Sequence, residues 1–424
     1  MKFANIETKR YSQDETLFFI RIKGKKQFFE KIYGKSVMSR LFGHITSPHT
    51  ISEYSNADHH INLNRYDFSD LQSDDYDVYY ACIHKDLCSI IARCRGLRDL
   101  PFNEAKKLVL LACKYFSDFF QTHQYRLLVI HTIDNYVLDV MYRVACKCSI
   151  EVICPTEWFI KGYYRQTFYG EAIMHREPTD DEINSVEQHF VQRKKAFWLD
   201  GMGRLNRLHY AMYLLVRYRI LYIIRYLIRY RLLGDLSYEY RFANVWPMKL
   251  RNFFVGRYFD HLHEPQVSAN LAQSVVLPLH VYPESNVDYW LEDYRHADYY
   301  SGIFETLSFF RGKGITVYVK EHPGFLYQRD PSVYRQLKEF KNVRLIDPFS
   351  SSSPLLDKIP LVLVWLGTMG IEALMHGRKV VVFGSNYYSQ GRLLNYRDFE
   401  RAHPLDDAGR RELIHSLLSG VELV

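Results

Sequence analysis

The sequence predicts an α/β protein of two Rossmann-like domains facing each other across a cleft, with a helical, basic and aromatic insertion between them. Three observations predict it. Short β-branched apolar runs alternate with helix-patterned segments through both halves, as in parallel sheets with crossover helices. Polar and glycine residues gather where those runs end, the place where α/β proteins bind ligands. At 424 residues the chain is too long for one ordinary domain and comfortable for two. We divide it at 1–200, 201–265 and 266–424.

In the first part, Thr16 to Ile22 reads as a strand and Phe28 to Ile32 as a helix. Val78 to Ile83 reads as a second strand. Asn103 to Thr122 predicts a long amphipathic helix, because Leu108, Leu111, Ala112, Tyr115 and Phe119 recur at helical spacing. Leu127 to Ile130 is a strand that runs into His131-Thr132-Ile133-Asp134-Asn135. Tyr136 to Cys146 is a helix, and Ile150 to Cys154 is a strand stopped by Pro155. Residues 178–200 are charged and helical in pattern, from a Pro-Thr-Asp-Asp-Glu start that resembles an N-terminal cap.

The third part repeats the alternation. Val275 to Val281 is a strand interrupted by Pro278, and Tyr299 to Phe310 is a helix. Ile315 to Val319 is a strand that closes on Lys320-Glu321-His322-Pro323-Gly324. Another strand ends at Asp347. Leu361 to Trp365 is a strand, after which Gly367-Thr368-Met369-Gly370 opens a helix over Ile371 to His376. Lys379 to Phe383 is a strand stopped by Gly384, and Asp407 to Leu423 reads as a terminal helix.

Composition narrows the function classes. The apolar fraction is 47% and the charged fraction 24%, both ordinary for a globular protein. The net charge of +7 suits an acidic ligand or an anionic surface. No zinc-finger, Arg-Gly or RNA-recognition motif points to nucleic acid. The 34 tyrosines offer stacking surfaces, although packing accounts for most of them. All seven cysteines fall between Cys82 and Cys154. An odd, clustered set predicts free thiols in a reducing compartment. Met1-Lys2-Phe3-Ala4-Asn5 turns polar at once, unlike a signal peptide, so we expect a cytoplasmic protein. Asp75-Tyr76-Asp77 has the Asp-x-Asp pattern of metal-dependent transferases but precedes a predicted strand instead of following one. We expect no metal there, and no bound cofactor.

The chemistry-bearing residues stand at predicted strand ends. Lys320 and His322, on a turn with Pro323, can neutralise and donate to a phosphate. Gly367, Thr368 and Gly370 at a helix start offer backbone N–H groups and a hydroxyl to the same anion; the alternative is a tight turn that needs glycine. Glu372, in the first turn, can accept from ribose hydroxyls or stabilise the helix start. Glu284 follows the strand at 275–281 and can touch donor or acceptor. Together these suggest a diphosphate or phosphodiester ligand such as that of a nucleotide-sugar. Asp134 and Glu157 follow successive strands of the first part. Either can act as base toward an acceptor hydroxyl, or as nucleophile; Asp134 can equally cap the helix from Tyr136.

The Tyr/Arg-rich stretch from Leu205 to Phe242 carries Arg217, Arg219, Arg225, Arg229 and Arg231 within an apolar run, which makes spanning a membrane too costly. On an α-helical projection Val216, Ile220, Ile223, Ile224 and Leu227 share one face. Such a helix can lie on the inner-membrane surface or pack against the body of the protein.

The order Pro278-Leu279-His280-x-x-Pro283-Glu284-Ser285, Lys320-x-His322-Pro323, Gly367-Thr368-x-Gly370-x-Glu372-Ala373-Leu374-x-x-Gly377 and Gly384-x-x-x-Tyr388 resembles the bacterial capsule polysaccharide biosynthesis proteins, including the Kdo transferases of capsule assembly. Glu157-Trp158-Phe159-Ile160-Lys161 looks like a degenerate form of the family's Glu-x-Gly-Tyr-Leu-Arg segment. The family often has Gln at the place of His280 and Ser at that of Thr368. The resemblance implies a GT-B-type glycosyltransferase, with the nucleotide-sugar donor in the C-terminal domain and a glycan or lipid-linked acceptor in the N-terminal one. His-Pro turns before a hydroxyl residue at a helix start also occur in bacterial sialyltransferases, a similarity that favours a CMP-sugar. Alternatives on such scaffolds are a nucleotide-sugar epimerase, a polyol-phosphate transferase, or a non-catalytic, membrane-associated assembly factor.

Overall fold

Strands buried on both faces must be apolar along their whole length, and the runs read above form two such sheets. The computed structural model describes residues 11–20, 43, 45, 48–53, 57–63, 79–160, 163–171, 176–192, 216–221, 224, 227–233, 258, 273–282, 285–291, 298–322, 325, 329–346, 348, 353–384, 386–389 and 395–423. In the first half, β1 (Thr16–Phe19), β2 (His49–Ser52), β3 (His59–His60), β4 (Leu127–Val129) and β5 (Glu151–Ile153) form a parallel sheet in the order β3-β2-β1-β4-β5. Helices α1 (Phe102–Thr122) and α2 (Tyr136–Lys147) cover it. Leu17, Phe19, Ile51, Leu128, Ile130 and Val152 pack with both helices in one buried cluster.

A short antiparallel pair follows, β6 (Pro155–Glu157) with β7 (Tyr163–Gln166), and then α3 (Asp180–Val191). The expected cap of α3 is a capping box between Thr179 and Glu182. The second sheet holds β8 (Ser274–Pro278), β9 (Thr316–Lys320), β10 (Val343–Ile346), β11 (Leu361–Val364) and β12 (Lys379–Val382). It too is parallel, in the order β10-β9-β8-β11-β12. Alternate residues serve opposite faces. Val275, Leu277, Val317, Val319 and Leu363 meet α4 (Tyr299–Gly312) and α5 (Pro331–Glu339). Val276, Val362, Val364, Val380 and Val382 meet α6 (Thr368–Met375) and α7 (Asp407–Ser419).

Three expectations need correction. Residues 79–83 are helical, not a strand: Ile83 is buried in the first core, and tertiary packing outweighs the run's β propensity. Pro155 does not end the strand run but opens β6, at a sheet edge where its missing N–H costs nothing. The terminal helix stops at Ser419, and Val421–Leu423 form β13, antiparallel to β7. The Phe28 to Ile32 helix and Asp75-Tyr76-Asp77 lie outside the described residues.

The halves are tied together by residues far apart in sequence. Strand β13 joins the β6–β7 pair, and Trp158, Phe159, Ile183, Val186 and Phe190 pack into the second half's α6–α7 layer. In return Tyr289 is fully buried in the first half's core. Beside it Arg93 Nη1 donates to the carbonyls of Asp288 (3.2 Å) and Tyr289 (2.9 Å). Arg98 Nη1 and Arg95 Nη2 reach the Asp288 carboxylate at 2.9 and 3.3 Å. The Asp288 side chain is fully buried. Removing one partner of a buried ion pair costs about 3 kcal/mol or more. Asp288→Ala should therefore lower the unfolding free energy from urea titration by that order while leaving the far-ultraviolet circular dichroism unchanged.

Candidate functional site

In an open parallel sheet, ligands bind where the strand order reverses direction. In the second sheet the chain steps from β8 to β9 and β10 on one side, then to β11 and β12 on the other. The reversal lies between β8 and β11. His280 follows β8, and Leu366-Gly367 follows β11. The Leu366 N–H donates to His280 Nε2 at 3.1 Å. This bond leaves Nε2 as the acceptor and puts the proton on Nδ1. The His280 N–H donates to the Tyr299 hydroxyl at 2.8 Å. Desolvation, then the charges of His322 and Arg329, push the His280 imidazole down to about 3. It is a neutral acceptor at neutral pH.

Gly367 takes φ +121, a left-handed backbone that L side chains rarely adopt, and a Cβ there would stand 2.9 Å from His280 Cε1. A Cβ on Gly370 would stand 2.6 Å from the Tyr388 hydroxyl and 2.9 Å from Val364 Cγ2. Tyr388 donates to the Gly367 carbonyl at 3.2 Å. So the Gly384-x-x-x-Tyr388 segment braces the turn that opens α6. Thr368 is the first residue of α6 and Glu372 lies on it, both half-buried. The N–H groups of a first helical turn lack intrahelical acceptors; that of Gly370 donates to Gly367 at 3.1 Å.

On the other side of β8, Glu321 anchors the Lys-Glu-His-Pro turn. Its carboxylate is bidentate to Arg329, at 2.6 Å to Nε and 2.9 Å to Nη2. It also accepts from Tyr334 Oη (2.5 Å) and from the His322 N–H (2.6 Å). Arg329 Nη2 donates to the His280 carbonyl at 2.6 Å and Nη1 to Tyr300 Oη at 2.9 Å. The network fixes His280 and His322 together. Burial, set against the Glu321 charge, lowers the His322 pKa below its usual range. Lys320 is buried and gives its Nζ to the Pro348 carbonyl at 3.1 Å. Its charge can act on a ligand only from behind that bond. Pro323 and Glu284 lie outside the described residues.

The first sheet has its own reversal, between β1 and β4. Asp134 follows β4, as expected; Glu157, expected in a loop after the strand at 150–154, instead closes β6, and both are half-buried. Thr132 Oγ1 and Thr156 Oγ1, 3.1 Å apart, link the segment after β4 to β6. Glu157 accepts a long bond, 3.4 Å, from Tyr164 Oη. The neighbouring Asn135, not Asp134, caps α2, accepting from the Leu138 N–H. The capping alternative for Asp134 therefore falls away.

Of the Tyr/Arg stretch, residues 216–221 and 227–232 are π-helical, where an α-helix was expected. Nothing is described of the side chains of Arg217, Arg219, Arg225 and Arg229. Val216, Ile220, Leu221, Ile224, Leu227 and Ile228 are exposed by 42–50%. Among the described residues, no helix is long and apolar enough to cross a membrane, and no group of three or more His, Cys, Asp or Glu could hold a metal. All seven cysteines are free.

Residues 212–413 match the capsule polysaccharide biosynthesis protein family. That span holds all four C-terminal motif segments, and the match bears out the resemblance on which they were read. No curated protein matches the chain. Among solved structures, the Thermosulfurimonas dismutans KpsC β-Kdo 2,7-transferase is similar at 16% identity, over 72% of this chain and 79% of that one, with a TM-score of 0.35. Its β-Kdo 2,4-transferase counterpart gives 14%, 69%, 79% and 0.36. Methanocaldococcus jannaschii UDP-GlcNAc 2-epimerase, in complex with UDP-GlcNAc and UDP, gives 11%, 95%, 99% and 0.30. At these scores the superpositions carry no argument about substrate.

Sequence reasoning did not select Glu321 or Arg329 for this region. Glu321 sits inside a motif that was read, but its partner lies eight residues on in a segment with no pattern of its own. The His280 protonation state has a measurable consequence. Its folded pKa is depressed, so the unfolded chain binds the extra proton first. The His280 contribution is complete above about pH 6.5, the ordinary value for an imidazole, and is lost progressively as pH falls toward 3. His280→Gln keeps an acceptor for the Leu366 N–H. In urea titrations across pH 4–7 it should flatten the acid loss of stability; an unchanged slope would assign that loss to other groups.

Proposed function

We propose that the chain is a glycosyltransferase of bacterial capsule or surface polysaccharide synthesis. It moves a sugar from a nucleotide donor, most readily a CMP-sugar, to a glycan or glycolipid acceptor. The observation that carries this reading is the β8/β11 reversal, where the positive-φ Gly367, the start of α6 and the His280–His322 pair meet. The family match over the same span supports it.

The chemistry follows from charge. As the glycosidic bond to the donor breaks, negative charge grows on the leaving phosphate. Backbone N–H groups and the Thr368 hydroxyl at the start of α6 can take up that charge without reorganising. His322, whose backbone N–H is held by Glu321, serves in this reading as a further hydrogen-bond donor to the phosphate. Glu372 on α6 serves the ribose hydroxyls. Asp134 or Glu157, from the first half, acts on the acceptor hydroxyl as base, or on the sugar as nucleophile. Nothing in this sequence of steps calls for a bound cofactor.

Purified protein should be stabilised against heat by CMP more than by CDP, UDP or GDP, because a ligand that binds only the folded state raises its melting temperature. His322→Ala should abolish most of that shift and lower turnover by about 10²-fold, a typical loss for one charge-stabilising donor. Its own melting temperature should change little. Wild-type protein unmoved by all four nucleotides would remove the reading.

The reading extends to place: a cytoplasmic enzyme held on the inner leaflet by its Tyr/Arg stretch. Exposed Ile220, Ile224, Leu227 and Ile228 and the arginines interleaved with them in sequence suit an anionic interface. Replacing Ile224, Leu227 and Ile228 by Ser should cut co-sedimentation with phosphatidylglycerol vesicles at least tenfold, with no change in melting temperature. Undiminished binding would place the contact elsewhere.

A further inference from the structure

Three of the seven cysteines meet at one place in the first half. Cys82 stands on the short helix over residues 79–83 and is half-buried. Cys113, from the middle of α1, is fully buried in the first core. Cys148 follows Lys147, the last residue of α2, and both are exposed. The Cys113 thiol donates to the Cys82 sulfur. Its own sulfur lies 3.8 Å from the carbonyl oxygen of Tyr79, three residues before Cys82. The Lys147 ammonium donates to the Cys82 carbonyl, which keeps its charge beside the Cys82 sulfur. Cys148 is close enough to feel the charge of Cys82.

The thiolate, not the thiol, is the nucleophile toward oxidants and electrophiles. A hydrogen bond donated to the sulfur and a neighbouring ammonium both favour the thiolate. The bond from Cys113, and then the Lys147 charge, hold the Cys82 thiol down to about 6 against the opposing effect of burial. The same bond pushes the Cys113 thiol up, so the buried partner keeps its proton. Elsewhere the trend is opposite: burial pushes up the thiols of Cys94 and Cys154. A low-pKa, reachable thiol poised beside a second one is the arrangement of redox-sensing cysteines.

The cluster lies away from the transfer chemistry. Asn135 caps the start of α2 beside Asp134, at the carboxyl end of β4. Lys147 ends that helix at the opposite edge of the sheet, just before β5 begins. The 79–83 helix and α1 share the first core through Ile83, Val109 and Cys113. A bond between Cys82 and Cys113 adds a covalent tie between these two elements.

We propose that Cys82 is a hydroperoxide-reactive thiol and Cys113 its resolving partner, so that oxidation links the 79–83 helix to α1 through a disulfide. In the first step the Cys82 thiolate takes one oxygen of the peroxide. The O–O bond breaks, and the departing hydroxide takes a solvent proton and becomes water, leaving a sulfenic acid on Cys82. In the second step the Cys113 sulfur attacks the Cys82 sulfur. The S–O bond breaks, and hydroxide leaves with the Cys113 proton as a second water. Two thiols lose two electrons, and one peroxide is reduced to two waters. A thiol reductant reverses the bond by exchange, as befits a disulfide formed transiently in a reducing compartment.

The test uses the full chain, reduced, freed of reductant and treated with stoichiometric hydrogen peroxide. Non-reduced peptide mapping should find Cys82 joined to Cys113, the intact mass should fall by two hydrogens, and dithiothreitol should reverse both changes. Cys82→Ser should form no disulfide. Cys113→Ala should leave a sulfenic acid on Cys82 that dimedone traps; the wild-type map decides the matter if this core variant does not fold. Alkylation by iodoacetamide at pH 6 gives a second readout. About half of Cys82 is thiolate at that pH, against about 0.3% of an ordinary thiol. The lower intrinsic nucleophilicity of a more acidic thiol takes back roughly tenfold. Cys82 should therefore react about tenfold faster than the more exposed Cys146 and Cys148, and Lys147→Met should narrow that lead. Cys146 or Cys148 reacting as fast as Cys82, a disulfide from Cys82 to Cys148, or peroxide leaving Cys82 and Cys113 unjoined would each overturn the proposal.

Discussion

The buried Glu321–Arg329 pair is the constraint on which the second half of this protein depends. Both side chains are fully buried. Two desolvated charges are tolerated only when geometry is close and the remaining donors and acceptors are filled, and here they are. Glu321 accepts from Arg329, Tyr334 and the His322 backbone, while Arg329 reaches across to the His280 carbonyl. The ends of β8 and β9 are thereby set at a fixed spacing. His280 then accepts from Leu366 and sets the end of β11. A chain of directed bonds runs from one side of the sheet reversal to the other, and the glycine turn hangs from it.

The second constraint is the joint between halves. A GT-B-like arrangement needs both Rossmann-like units to be positioned against each other. Here that is done by exchange: Tyr289 enters the first core, and β13 adds to the β6–β7 pair. The arginines at 93, 95 and 98 all close on Asp288. Residues of the first half and of the second are thus held by one set of contacts.

Much of the site was legible locally. Gly367-Thr368-x-Gly370 marks a helix start after a strand because only glycine accepts the φ that Gly367 adopts. Asp134 and Glu157 were placed at strand ends by the apolar runs before them. What could not be read were pairings. Lys320 looks like a free cation in the sequence, yet its Nζ is given to the Pro348 carbonyl. Arg165 looks like any strand arginine, and only the return of β13 and the approach of Trp290 and Tyr387 bury it.

By itself, then, the sequence determined the class of fold and the strand ends at which chemistry gathers. Period-2 and period-3.6 patterns and glycine conformations are local properties, written in a few neighbouring residues. The tertiary structure alone decided which charges are answered. Glu321 with Arg329 and Asp288 with Arg98 meet across 8 and 190 positions, and burial by distant elements sets the state of His280. Desolvation and charge pairing depend on all atoms nearby in space, and no window of sequence contains them.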